Sequence, residues 1–256
     1  MTSASTKAAA LLLAVTLPFA GSAPAAPEPA RSVLPRPPQR VLFVGNSLTQ
    51  YNGGLNEHVR RLQQAGDSWN APYFEDAALA KPGAYLREHA APLQETLRRG
   101  LPWDAVVLQG YSDEPASTDP AVVERFEAAV RALDAVVRES RSRSVLFMTW
   151  GYRGEPAMAA RLDAGYRRVG DALRVPVVPV GLAFERARRE RPDVALVVED
   201  GKHPTMAGTY LAACVFYSSF EGHTPEGNRY IATLDAKVAR VLQSIAWRTA
   251  SEFHGW

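Results

Sequence analysis

Short apolar runs that do not alternate with polar residues recur along this chain, and helical patterns fill the gaps between them. The runs fall at 41–44, 72–74, 105–108, 145–148, 175–178 and 195–198. A strand with one wet face alternates apolar and polar residues; a strand buried on both faces need not. Between the runs, apolar residues return every three or four positions. Leu55, Val59 and Leu62 mark one helix, and Phe126, Val130, Leu133 and Val137 a second, for which Asp119-Pro120 supplies a cap and a first-turn proline. Leu162, Tyr166, Val169 and Leu173 mark a third; Met206, Tyr210, Ala213 and Tyr217 a fourth; Leu234, Val238, Val241 and Ile245 a fifth. Alternation of strand and helix predicts a parallel sheet with helices on both faces. Right-handed crossovers bring the carboxyl ends of the strands to one edge, where such sheets bind ligands. Chemistry-bearing residues should therefore lie just after strands.

The 256 residues suffice for one well-filled domain and are tight for two. Residues 1–25 have the layout of a secretory signal peptide: Lys7, an apolar run over 8–20, and Ala23-Pro24-Ala25 as a cleavage site. That run is shorter than the roughly 20 residues a membrane span needs, so no span is expected in the mature chain. Residues 26–40, rich in Pro and Ala, read as a loose tether, and 41–250 as the folded domain. The expected location is secreted, periplasmic or otherwise in the cell envelope. A formal charge of +2 argues against a nucleic-acid partner, which needs a strongly basic face. The arginines at 186, 188, 189 and 191 read as a solvated helix face. Cys214 is the one cysteine and sits in an apolar run, so it reads as a buried small hydrophobe.

Two segments carry chemistry. In Gly45-Asn46-Ser47-Leu48-Thr49 a hydroxyl follows a buried strand behind a glycine. There it supplies a nucleophile, and its own N–H supplies half an oxyanion hole. On this segment alone Ser47 reads equally well as a helix cap. In Asp200-Gly201-Lys202-His203-Pro204-Thr205 a glycine turn lets carboxylate and imidazole lie side by side. His203 then serves as general base toward Ser47, and Asp200 holds the ring in its tautomer. Thr205 or Pro204 opens the following helix.

Gly-Asn-Ser-Leu-Thr near the start and Asp-Gly-Lys-His-Pro near the end resemble the SGNH/GDSL hydrolases, and the order of the blocks fits. The resemblance implies a flavodoxin-like three-layer α/β/α fold around a parallel sheet of about five strands. It also implies ester hydrolysis with no cofactor or metal. The family's second block implies Gly83 as a backbone oxyanion donor, although Pro82-Gly83 is also an ordinary turn. In the third block the family's Asn falls at Ser112, with Gln109 as an alternative amide donor. Asn46 stands where Asp is commoner.

Trp150, Tyr152 and Arg153 follow the fourth strand and read either as substrate-lining residues or as edge packing. His58 and His89 read as surface residues, His223 as a helix C-terminal cap, and His254 as part of a frayed tail. No His, Cys or carboxylate pair other than Asp200/His203 has metal-ligand spacing. The expected activity is an esterase acting on a small-molecule or polysaccharide ester, above all an O-acetylesterase on carbohydrate or cell-wall glycan. Lipase, thioesterase or arylesterase activity is the alternative. A non-catalytic carbohydrate-binding protein on a degenerate hydrolase fold is the rival from another class. The sequence leaves oligomeric state open.

Overall fold

A computed structural model describes residues 1, 32–66, 74–100 and 102–256. Residues 2–25 of the assigned signal peptide, 26–31 of the tether, and 72 and 73 of the second expected strand lie outside the described residues.

The strands are β1 (Arg40–Gly45), β2 (Glu75–Ala80), β3 (Ala105–Leu108), β4 (Ser144–Phe147) and β5 (Val177–Val178). They pair in the order β2-β1-β3-β4-β5, every pair parallel. The helices are α1 (Ser47–Gln50), α2 (Leu55–Ala65), α3 (Ala90–Arg99), α4 (Pro120–Glu139), α5 (Met158–Leu173), α6 (Val180–Glu190), α7 (Met206–Glu221) and α8 (Ala236–His254). Val41 and Phe43 of β1 face a core shared with α2, α6, α7 and α8. Leu42 and Val44 face the opposite core, shared with α3, α4 and α5. Both faces of β1 are thus dry, as its unbroken apolar run predicts, and the result is the three-layer α/β/α architecture. Strand order reverses at β1, with β2 on one side and β3 on the other. The crevice between the carboxyl ends of β1 and β3 is the topological switch point, where open α/β sheets bind ligands.

α7 is buried throughout from Ala207 to Phe220. A helix apolar on all sides must be covered on all sides. The sheet covers one side, with Phe216 edge-on to Phe43 and Phe147, and α2, α6 and α8 cover the rest. Cys214 lies inside this helix, fully buried, and burial pushes its thiol pKa up.

Four expectations are corrected. The second strand is described at Glu75–Ala80, just past the expected 72–74; it is a half-buried edge strand that opens on two acids and continues in small alanines around Leu79, a weaker signal than the buried runs. Residues 195–198 add no strand to the sheet; Val197 makes an isolated antiparallel bridge to Pro204. In α8 the buried face runs through Ala239, Leu242, Ile245, Ala246 and Ala250, while Val238 and Val241 are only partly buried. Alanines carry that face, so a pattern of large residues points to the wrong register. His254 is not frayed: it ends α8, faces Ser219 Oγ at 3.3 Å and packs against Trp256. Burial pushes its pKa down to about 4. The expected solvated face of α6 is only half right: Arg186 pairs with Glu252 and Arg188 with Glu185, but their side chains are just 16% and 28% exposed. Among the described residues no helix is long and apolar enough to cross a membrane.

Candidate active site

The turn after β1 is built around Asn46, which is 2% exposed. Its Oδ1 accepts from Leu48 N at 3.1 Å, so Asn46, not Ser47, caps α1. That leaves the Ser47 hydroxyl free at the first helical position. The Asn46 N–H donates to Gln109 Oε1 at 2.9 Å, and its Nδ2 donates to the Ala84 carbonyl at 3.3 Å. One residue therefore ties together the segments that follow β1, β2 and β3. Gly45 leaves room for this: a Cβ there would run into the Gln109 amide and the Thr49 hydroxyl.

His203 rides on the loop before α7. Asp200 Oδ1 accepts from the N–H groups of Lys202 (2.8 Å) and His203 (3.0 Å). Its Oδ2 accepts from His203 Nδ1 at 2.6 Å. With Nδ1 donating to the carboxylate, Nε2 is left as the acceptor, and it stands 2.9 Å from Ser47 Oγ. The His203 hydrogen bond and then the two backbone donors hold the Asp200 pKa down to about 2, so the carboxylate stays charged. Side chains from elsewhere brace the loop. Trp150 Nε1 donates to the Lys202 carbonyl at 2.9 Å, and Arg153 donates to the carbonyls of Val197 and Val198. Asn52 Nδ2 donates to the Pro204 carbonyl at 3.0 Å and to Thr209 Oγ1 at 2.7 Å. Tyr51 stacks on the imidazole, ring centroids 4.5 Å apart and planes 14° off parallel. Thr205 caps α7 through its hydroxyl.

Serine and histidine face an open pocket of about 590 Å³, also lined by Tyr51, Gly83, Tyr111, Ser112, Tyr152 and Lys202. Gly83 has φ +73° in a turn closed by Ala84 N donating to the Lys81 carbonyl. Glycine is favoured there because the left-handed region strains other residues. No hydrogen bond among the described residues uses the N–H of Ser47 or of Gly83. Ser112 hydrogen-bonds Tyr152, whose phenol is pushed up to about 12, burial being the main cause. The second and third blocks are also knitted to each other. Tyr85 stacks on Tyr111 at 4.5 Å, and Arg87 pairs with the buried Glu114 at 3.1 Å. Burial raises the Glu114 pKa, partly offset by Arg87.

The structure brings together Ser47, Asp200, His203, Gly83, Ser112, Asn46 and Tyr152. It leaves out three residues that the sequence singled out, one of them Arg153, whose guanidinium is turned to the Val197 and Val198 carbonyls. Gln109 does not line the pocket: it is 1% exposed, its Oε1 holds Asn46 N and Thr49 Oγ1, and its Nε2 donates to the Gly110 carbonyl. Trp150 is 1% exposed and stacks flat on Phe184 at 4.2 Å, so it braces the loop from behind rather than touching a ligand. His58 and His89, expected on the surface, are buried, and burial lowers both pKa values. His58 bonds the Asn52 carbonyl and the Tyr230 hydroxyl. His223 follows Gly222, which is the actual left-handed C-cap of α7. Sequence reasoning missed Tyr51, Asn52, Tyr111 and Lys202. The one local signal was Asn52 before Gly53-Gly54, since asparagine tolerates the left-handed conformation it adopts (φ 56°).

No protein-family model and no curated relative matches the chain. Solved structures do. A protein from Slackia heliotrinireducens classed as an SGNH hydrolase is 26% identical, with 71% of this chain and 98% of that one covered and a TM-score of 0.59. A DUF4886 family protein from Bacteroides uniformis is 17% identical, covering 82% and 93% at a TM-score of 0.65. An acetylxylan esterase from Geobacillus stearothermophilus is 17% identical, covering 71% and 94% at 0.58. Fold and neighbours together define the class, an ester-bond hydrolase on a three-layer α/β/α sheet. The chain resembles the SGNH/GDSL hydrolases.

Proposed function

We propose that the chain is an exported serine esterase that cleaves carboxylic esters through an acyl-serine intermediate, and that it removes O-acetyl groups from carbohydrate or cell-wall glycan. The observation that carries the reading is the relay from Ser47 Oγ to His203 Nε2 (2.9 Å) and from His203 Nδ1 to Asp200 (2.6 Å). His203 takes the Ser47 proton as the oxygen attacks the carbonyl carbon, and the carbonyl π electrons move onto its oxygen. The N–H groups of Ser47 and Gly83 and the Ser112 hydroxyl stabilise that oxyanion. The intermediate collapses, the ester C–O bond breaks, and His203 delivers the proton to the departing alcohol. Water, deprotonated by His203, then attacks the acyl carbon; the bond to Ser47 Oγ breaks, His203 returns the proton to that oxygen, and the acid leaves. Asp200 keeps the ring oriented and stabilises its cationic form. The signal-peptide layout of residues 1–25 supports export, and an acetylxylan esterase among the structural neighbours supports the substrate class.

The test uses purified mature protein and p-nitrophenyl acetate. Ser47→Ala and His203→Ala are expected each to abolish turnover while circular dichroism stays unchanged. Full turnover in either variant refutes the assignment.

A further inference from the structure

We infer that the pocket at Ser47 is the first half of a longer groove, and that its second half holds the sugar chain of an O-acetylated oligosaccharide. The inference rests on the esterase reading above. A second cavity, of about 460 Å³, opens beside the first, and Tyr152 lines both. The second is bounded by Asp113, Ser117 and Thr118 after β3, and by Glu155, Met158 and Arg161 after β4. The first sits where the segments after β1, β2 and β3 meet. The two cavities therefore succeed one another along the carboxyl edge of the sheet, a path for a linear ligand with its ester at Ser47.

The lining decides the ligand class. Residues with polar side chains make up most of the second cavity's lining, among them Ser117, Thr118, two acids and one arginine, with Ala116, Val122 and Met158 as the apolar part. A long acyl chain needs an apolar channel, and burying polar groups against it without partners costs free energy. A polyanion needs a wall of one positive sign, whereas here carboxylates outnumber the guanidinium. A neutral chain carrying many hydroxyls both donates to and accepts from such a wall. The ring of Tyr152 at the junction and that of Tyr111 in the first cavity offer apolar bodies with polar tips to a sugar. One face of Tyr152 already carries the Lys202 ammonium, 4.7 Å from the ring centre.

The experiment compares p-nitrophenyl acetate with partially O-acetylated xylo-oligosaccharides of increasing length. The variants are Thr118→Trp, which fills the cavity from an exposed position, and Glu155→Ala, which removes a polar wall group. For the unmodified enzyme, KM is expected to fall as the sugar chain lengthens. Thr118→Trp is expected to erase that dependence, raising KM for the longest ester about ten-fold with p-nitrophenyl acetate turnover unchanged, and Glu155→Ala to act in the same direction more weakly. A KM independent of sugar length in the unmodified enzyme overturns the groove and leaves the esterase reading intact. So does a preference for octanoyl over acetyl esters, or a Thr118→Trp that slows both substrates alike. An unmodified enzyme inert toward p-nitrophenyl acetate sinks the esterase reading, and the groove with it.

Discussion

The two halves of the proposed catalytic pair, Ser47 and His203, are supported in opposite ways. Ser47 follows a central strand, and the residue before it is bonded to the segments after both neighbouring strands. His203 stands outside the sheet, on a loop held by one isolated bridge and by side chains of Tyr51, Asn52, Trp150 and Arg153. Ser47, the proposed nucleophile, inherits its place from strand register. His203, the proposed base, owes its place to residues remote in the chain. Damage to the sheet edge should therefore cost stability first, and damage to the braces should cost turnover first.

The largest effect expected is at the base. Asp200→Asn should lower kcat by about four orders of magnitude, because an amide no longer enforces the tautomer that leaves Nε2 as acceptor. Steady-state kinetics with p-nitrophenyl acetate measures it, and a loss of less than ten-fold would show that the braces alone suffice. Gln109→Leu tests the other half. It strands the buried Asn46 N–H and Thr49 hydroxyl, so roughly 2 kcal/mol of stability should go, or more if both lost partners count in full. Urea denaturation reads that loss, and unchanged stability would break the contrast. Asn52→Ala should cost turnover by about ten-fold with KM little changed, since a slight misplacement of a catalytic group is expensive. A purely thermal effect, with kcat intact, would place Asn52 in the scaffold instead.

The smallest effect is in pH. His254 titrates near 4 in the folded chain against an ordinary 6.5, so the unfolded chain binds the extra proton between those values. Its contribution is complete above about 6.5, declines as pH falls and levels off below about 4. Burial lowers His58 and His89 in the same direction. Melting temperature should therefore drop across this interval, and less steeply in His254→Gln. An equal slope in that variant would assign the effect elsewhere.

The asymmetry also explains what could be read from sequence. Ser47 was legible because a buried strand, a glycine and a hydroxyl are contiguous. Asp200 and His203 were legible because a three-residue spacing suffices to pair them. Gln109 was placed at the correct edge but given the wrong direction, and Trp150 was left open between lining and packing, since a position in sequence does not say whether a side chain faces the pocket or the core. Tyr51 had no local signal and Asn52 only its place before Gly53-Gly54, because the partners of both lie some 150 residues away. α8 was found but rotated, because small alanines do the packing.

Asparagine at position 46 is not a worn-down aspartate. Its amide points an N–H at the Ala84 carbonyl, in a spot nearly closed to solvent. Restoring the acid would set oxygen against oxygen and bury a charge. The substitution that looks most like repair of the motif is thus one this turn has been rebuilt to refuse.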